Sequence, residues 1–259
     1  MPWPVPVPVL APEPPALLSS GGGAVAPHAA ALDCPPQQQS LAWSPPGPAL
    51  GGGSRPGPPE QTAMAPHQGV GADPAGSDYH QRLRATAAGW PVRTPWCVWI
   101  EPLASGTAAG LFEARWQRAV EAALATWQAE LPIQRVATSD QAQVRLWRRR
   151  PPLASGPDGA WRASHGRALL ELRQVQRLGQ WQLEPLVEVL ISPGQRPEAI
   201  QATSLHELGH AFGLWGHSDQ SADVMAVSPT ARPVLELSPR DRATLRWLLR
   251  QPRLGAPAY

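Results

Sequence analysis

In the run His206-Glu207-Leu208-Gly209-His210, two imidazoles stand four positions apart. On a helix of 3.6 residues per turn they leave the same face one turn apart, the spacing that a single metal ion needs. Glu207 follows the first His directly and points to the side of the pair. A carboxylate placed there reaches water at the metal without taking a coordination position. Gly213 comes three residues after His210, where the helix must end if the chain is to turn back, and Gly tolerates the left-handed conformation that ends helices. His217 arrives four residues later and can approach the ion from another direction, giving three nitrogen ligands and one open position. Met225 lies eight residues beyond it, just after Asp223 and Val224.

Together, His206, Glu207, His210, Gly213, His217 and Met225 resemble the zinc-binding signature and Met-turn of the metzincin clan of metalloproteases, most like its matrixin branch. The spacing departs from the usual pattern at one point. Gly216 occupies the place of the family's third ligand, and His217 follows one residue later. Because the interval from His217 to Met225 matches the family's, the chain reads as holding one extra residue before a retained ligand, absorbed by a flexible Gly216. Matrixin-like peptidases of cyanobacteria, with a Gly-Leu-Trp-Gly-His-Ser-like run, resemble residues 213–218.

What the resemblance implies is specific. It implies an α+β fold with a twisted mixed sheet of about five strands, a long backing helix, a zinc-site helix and a C-terminal helix. It implies one catalytic Zn2+ on His206, His210 and His217, with Glu207 as general base and Met225 as an apolar floor beneath the ligands. Protein or peptide would be the substrate, hydrolysed as by an endopeptidase. The strand nearest the cleft would run antiparallel to the others and pair with an extended peptide, a role assigned to residues 168–175. The loop over residues 226–237 would line the pocket for the residue after the cleaved bond. The second, structural zinc and calcium of matrixins are not expected, since only Asp158 and His165 remain as candidate ligands. Two rivals stand beside this expectation. In one, a gluzincin-type site uses Glu236 in place of His217. In the other, a zinc-stabilised but catalytically silent binding module recruits partners through a Pro-rich tail, a role that gives Glu207 no purpose.

The elements that must carry these residues can be read from periodicity. Residues 90–101 suit a strand in which Trp96, Val98 and Ile100 alternate with Cys97 and Trp99. Residues 111–130 form the clearest helix, with Phe112, Trp116, Val120, Ala123, Leu124 and Trp127 recurring at helical spacing as a core face. Strands are expected at 133–136, 143–147, 168–175 and 186–191. Pro197 and Glu198 open the metal-site helix, residues 198–213, whose Leu205, Leu208 and Phe212 face the core beside the metal face. Ser238-Pro239-Arg240-Asp241 opens a last helix with a Ser N-cap, Pro at the first position and an acid three residues after the cap.

Composition sets the outer bounds. Residues 1–77 are rich in Pro, Gly, Ala, Ser and Gln without amphipathic period, so they read as disordered linker ahead of a catalytic domain at 78–259. A formal net charge of +2 gives no reason to expect nucleic acid or an anionic membrane, and no apolar run is long enough to span a bilayer. A monomer is expected. The basic residues are all Arg. Cys34 lies in the Pro-rich stretch and Cys97 in a strand, so no structural disulfide is expected between them. Asp33-Cys34-Pro35-Pro36 faintly resembles the matrixin latency motif but lacks its Arg and Gly neighbours, which favours an exposed bystander over a latency switch. The resemblance implies a secreted or cell-envelope protein, whereas the proline-rich start has no basic region of a signal peptide, so the compartment stays open.

Overall fold

The structure is a computed structural model and describes residues 34–44, 77–103, 110–155, 161–227 and 232–255. In chain order these form β1 (Gln39–Ala42), β2 (Trp96–Ile100), α1 (Gly110–Gln128), β3 (Ile133–Arg135), β4 (Val144–Trp147), β5 (Ala154–Ser155), β6 (Trp161–Arg162), β7 (Gly166–Arg177), β8 (Gln180–Ile191), α2 (Pro197–Ala211) and α3 (Pro239–Leu248). The fold is α+β, as expected. A mixed six-stranded sheet has the order β1-β7-β8-β4-β2-β3, and β5 and β6 form a separate two-stranded ribbon. Strands β3, β2, β4 and β8 run parallel, while β7 runs antiparallel to β8 and β1 antiparallel to β7.

The tryptophans of α1 join the helix to the sheet and to the metal-site helix. Trp116 and Trp127 are fully buried. Trp116 Nε1 donates to the Ile191 carbonyl at 3.2 Å, and Trp127 Nε1 donates to the Leu205 carbonyl at 3.0 Å. Each ring therefore contributes a large apolar surface while its one polar hydrogen stays paired. Leu205, Leu208 and Phe212 of α2 are buried as expected, with Phe212 packed against both Trp96 and Trp127. Phe112 departs from the expected core face. It is 66% exposed, within the first turn of the helix, with the Arg115 guanidinium over its ring.

The strands expected at 168–175 and 186–191 are parts of one long hairpin, β7–β8, twelve residues on each side. Leu178 and Gly179 turn it with φ of 49° and 78°, the pair of positive values that matches the twist of a two-residue hairpin loop. Pro185 sits inside β8 without disrupting the ladder. Its missing N–H points past the start of β4, whose pairing with β8 begins at Val187.

Two expectations fail at the N-terminal side. Cys34 and Cys97 form a disulfide, so Cys34 is neither an exposed bystander nor a free thiol that could serve as a latency switch. The linker reading also fails for residues 34–44. Gln39–Ala42 pairs with residues 173–176 of β7. The Gln38 N–H donates to the Gln176 carbonyl, the Trp43 N–H donates to the Leu172 carbonyl, and Arg173 Nε donates to Ser40 Oγ. The Arg177 guanidinium, itself buried against Glu184, also donates to the Pro35 carbonyl. The rest of the 1–77 linker reading lies outside the described residues, as do Asp158 and residues 228–231 of the expected pocket loop. No helix among the described residues is long and apolar enough to cross a membrane.

Candidate metal centre

Helix α2 carries His206, Glu207 and His210, and it ends one residue after His210. Pro at its first position starts it without losing a needed hydrogen bond. Gly213, at φ 106°, ends it by turning the chain back, as its place in the sequence predicts. A Cβ at 213 would also press on Leu248 and Val92 at 3.1 and 3.2 Å, so α3 and the segment before β2 close over this turn.

The returning chain brings the third imidazole to the other two. One ligand atom from each of His206, His210 and His217 lies within 4.8 Å of the others. Ring centroids are 4.9 Å apart for 206 and 210, 5.3 Å for 206 and 217, and 4.9 Å for 210 and 217. Glu236 is exposed and stands outside this group, so the cluster is the three-imidazole set.

Two of the three rings are fixed by backbone carbonyls. His206 Nδ1 lies 2.8 Å from the Val224 carbonyl, and His210 Nδ1 lies 2.8 Å from the Leu214 carbonyl. A carbonyl can only accept, so each Nδ1 carries the proton and each Nε2 keeps its lone pair. Burial pushes all three imidazoles toward the neutral form, His210 down to about 3 with its two neighbours adding to the effect. Neutral, pre-oriented imidazoles are the state in which these side chains bind a divalent cation.

His217 is held from below. The Ser218 N–H donates to the Met225 carbonyl at 2.7 Å, and Ser218 Oγ bonds the buried Asp223 carboxylate. Asp223 also pairs with Arg240 at 2.7 Å and accepts from Ser238 Oγ at 2.6 Å, which ties this turn to the start of α3. Asp241, fully buried, accepts from the Val224 N–H at 2.9 Å and from the Tyr79 hydroxyl at 2.6 Å. His206 and Asp241 are therefore both held by the backbone of Val224, one at its carbonyl and the other at its N–H. Burial and the adjacent Asp241 carboxylate push the Tyr79 phenol far up, so it stays a donor.

Gly216 has a different role from the one expected. It does not adopt a positive φ. A Cβ there would overlap the Arg82 carbonyl oxygen and stand 2.9 Å from its carbon and 3.0 Å from Leu83 Cα. The residue is small because the backbone of residues 82–83 passes against it, one position before the ligand. The Arg84 N–H donating to the Trp215 carbonyl at 2.9 Å holds that approach.

Glu207 points into a cleft of about 670 Å³ whose lining includes His206, Ser164, Gly166, Thr203 and Val234. Ala226, Val227 and Pro233 also line it, so the described part of the 226–237 loop forms a wall of the cleft. Burial pushes the Glu207 carboxyl up to about 7, opposed by the Ala168 N–H that it accepts and by Arg167. That N–H belongs to β7, so the strand bears directly on the carboxylate. Gly166, one residue pair earlier, has no room for a side chain: a Cβ would overlap Thr203 and come within 2.7 Å of Glu207 Cγ. The exposed His165 also lines the cleft, and its carbonyl accepts from the Ser192 N–H at 2.8 Å.

All four chemical residues expected from the sequence are thus brought together, and Gly213 and Met225 support them. Gly166, the Ala168 N–H and the carbonyls of Val224 and Leu214 were not anticipated. Backbone groups leave no mark in a sequence, and the one available signal is a Gly two residues before the strand expected at 168–175. No protein-family model matches this chain, and no curated protein matches it either.

Proposed function

We propose that the chain is a zinc-dependent endopeptidase of the metzincin type, similar to the matrixins. The observation that carries this is the convergence of three neutral imidazoles, two of them oriented by backbone carbonyls, beside a carboxylate that faces a cleft. An all-nitrogen set of three fits zinc, which takes three protein ligands in catalytic sites and keeps a fourth position for water or substrate.

Zinc held by these rings would supply Lewis acidity, making water easier to deprotonate and a carbonyl easier to attack. Glu207 receives a proton from water on a carboxylate oxygen and hands it to the leaving amine nitrogen. The same group must be a base first and an acid afterwards, and the burial that raises its pKa in the metal-free protein favours the protonated form that the second step needs. The half of the β7 edge over residues 166–171 lies beside Glu207 and receives no strand partner among the described residues on its outer side. A peptide laid there in extended form gains main-chain hydrogen bonds and presents a scissile carbonyl beside the imidazoles. The thioether of Met225 has no proton to move, and, fully buried against Gly209 of α2, it serves as a floor under the ligands.

The test is cleavage of a quenched peptide library by protein loaded with one equivalent of zinc. Activity abolished by chelation, restored by zinc and lost in Glu207→Gln supports the proposal. Stoichiometric zinc binding with no hydrolysis of any library member leaves a zinc-stabilised binding module as the function.

A further inference from the structure

The outer edge of β7 is divided. Residues 173–176 are paired with β1, and the Trp43 N–H takes the Leu172 carbonyl immediately beyond it. Residues 166–171 have no such partner among the described residues, and the Ala168 N–H on that edge points to Glu207. Ladder alternation gives Gly166, Ala168 and Leu170 the outward-facing backbone groups. In the β7–β8 hairpin Arg167, Leu169 and Glu171 belong to the same alternating set as the turn-closing pair Arg177 and Gln180, whose backbone groups face β8.

β1 is not loosely laid on this edge. The Cys34–Cys97 disulfide anchors it to β2, Gln141 Nε2 donates to the Cys34 carbonyl at 3.3 Å, and the Gln37 N–H donates to the Asp140 carbonyl at 3.3 Å. Its last hydrogen bond, from Trp43, falls between the covered and the open part of the edge.

We propose that β1 and Trp43 form a fixed stop on the substrate strand, limiting the residues that can be bound on the amino-terminal side of the cleaved bond. This rests on the peptidase reading above. A peptide antiparallel to β7, the better-bonded arrangement, runs in the same direction as β1 and lies in line with it. Its upstream end then faces Trp43, and its downstream end passes Gly166 and Glu207. With Glu207 beside Gly166 and on the Ala168 N–H, and the Leu172 carbonyl already taken, the open edge has room for at most about five upstream residues. A longer substrate must bend away from the sheet before reaching Trp43. On the downstream side the described residues place no such strand.

The experiment uses the full zinc-loaded chain and two peptide series sharing one cleavage site, the first lengthened upstream and the second downstream, from one residue to ten. In the first, kcat/KM should climb by about two- to fivefold for each added strand pair and then go flat after about five residues. Leu41→Pro, which removes an N–H that faces β7 opposite Gln174, should break the β1 ladder and move that plateau to longer peptides, with the sheet verified by far-ultraviolet circular dichroism. The wild-type series decides the matter even if the variant does not fold. A rate that keeps rising through ten upstream residues, or a plateau found only in the downstream series, overturns the stop and leaves the peptidase reading intact. If no peptide in either series is cut, the peptidase reading fails and the stop falls with it.

Discussion

Met225 packs directly against Gly209, the residue between Glu207 and His210 on the far side of α2. A Cβ on Gly209 would overlap Met225 Sδ and reach Trp127 Cζ2 at 3.1 Å, and both of those side chains are fully buried. The ligand helix thus rests on the methionine with no gap. Gly209→Ala should cost about 1–3 kcal/mol of stability, because a packed core yields only by shifting backbone or rotamers. Since the neighbour displaced is the floor under His206 and His210, zinc affinity should fall by about tenfold or more. Urea unfolding of metal-free protein measures the first effect and competition with a chromogenic chelator the second. Unchanged affinity would mean that the floor does not position the ligands.

Gly166→Ala addresses the carboxylate rather than the ligands. Its Cβ would meet Glu207 Cγ at 2.7 Å and Oε1 at 2.8 Å, so Glu207 has to swing away from Ala168. The variant should bind one equivalent of zinc and lose about a hundredfold in kcat, the size expected when a general base is misplaced. Zinc content by atomic emission, beside kcat and KM on one peptide, separates this from loss of the metal. A variant that loses zinc and activity together would contradict the assignment.

The ligands could be read from the sequence because their placement is local: one helical turn separates His206 from His210, and Gly213 marks the end of that helix. His217 was reachable by the same logic, although the purpose of Gly216 was not. The backbone that crowds it belongs to residues 82–83, more than a hundred positions away in the chain. β1 was illegible for another reason. Gln39–Ala42 is four residues long and mostly exposed, without the alternation that announces a strand. What holds it is a cysteine pair 63 positions apart and a ladder with β7, and neither leaves a local pattern. The β7–β8 hairpin was found only in its apolar parts, because Leu178-Gly179 is not a usual turn pair and the strand ends around it are polar.

The Cys34–Cys97 disulfide closes a sequence separation of 63 and should stabilise the fold by roughly 4 kcal/mol if chain entropy alone acts. Both cysteines are nearly buried, at 5% and 3% exposure. Reductant alone should therefore act slowly on the native protein, and much faster once urea opens it. Cys34→Ser with Cys97→Ser should lower the urea midpoint and release β1 from β7. Backbone amide exchange at Leu41 and Trp43, whose N–H groups face β7, reports that release. Protection there equal to wild type would show that the ladder holds without the covalent anchor.

Acid should destabilise the metal-free protein, and the sign follows from which state holds more protons. The three ligand imidazoles have folded pKa values below their ordinary 6.5, with His210 at about 3. As pH falls below about 6.5 the unfolded chain takes up protons that the folded one refuses, so stability present above that pH is progressively lost. Glu207 acts in the opposite sense. Its folded value of about 7 lies above the ordinary 4.5, so its contribution is fully present below about 4.5 and is lost as pH rises through 7. Three imidazoles outweigh one carboxylate, and the chelator-treated protein should show a falling Tm from pH 7 to pH 4. In Glu207→Gln the opposing contribution is gone, so the same fall should be steeper between pH 7 and pH 4.5 while Tm at pH 7 and above rises. A Tm profile in which the two proteins run parallel across this window would show that Glu207 is not held in the buried environment that its role as proton carrier requires.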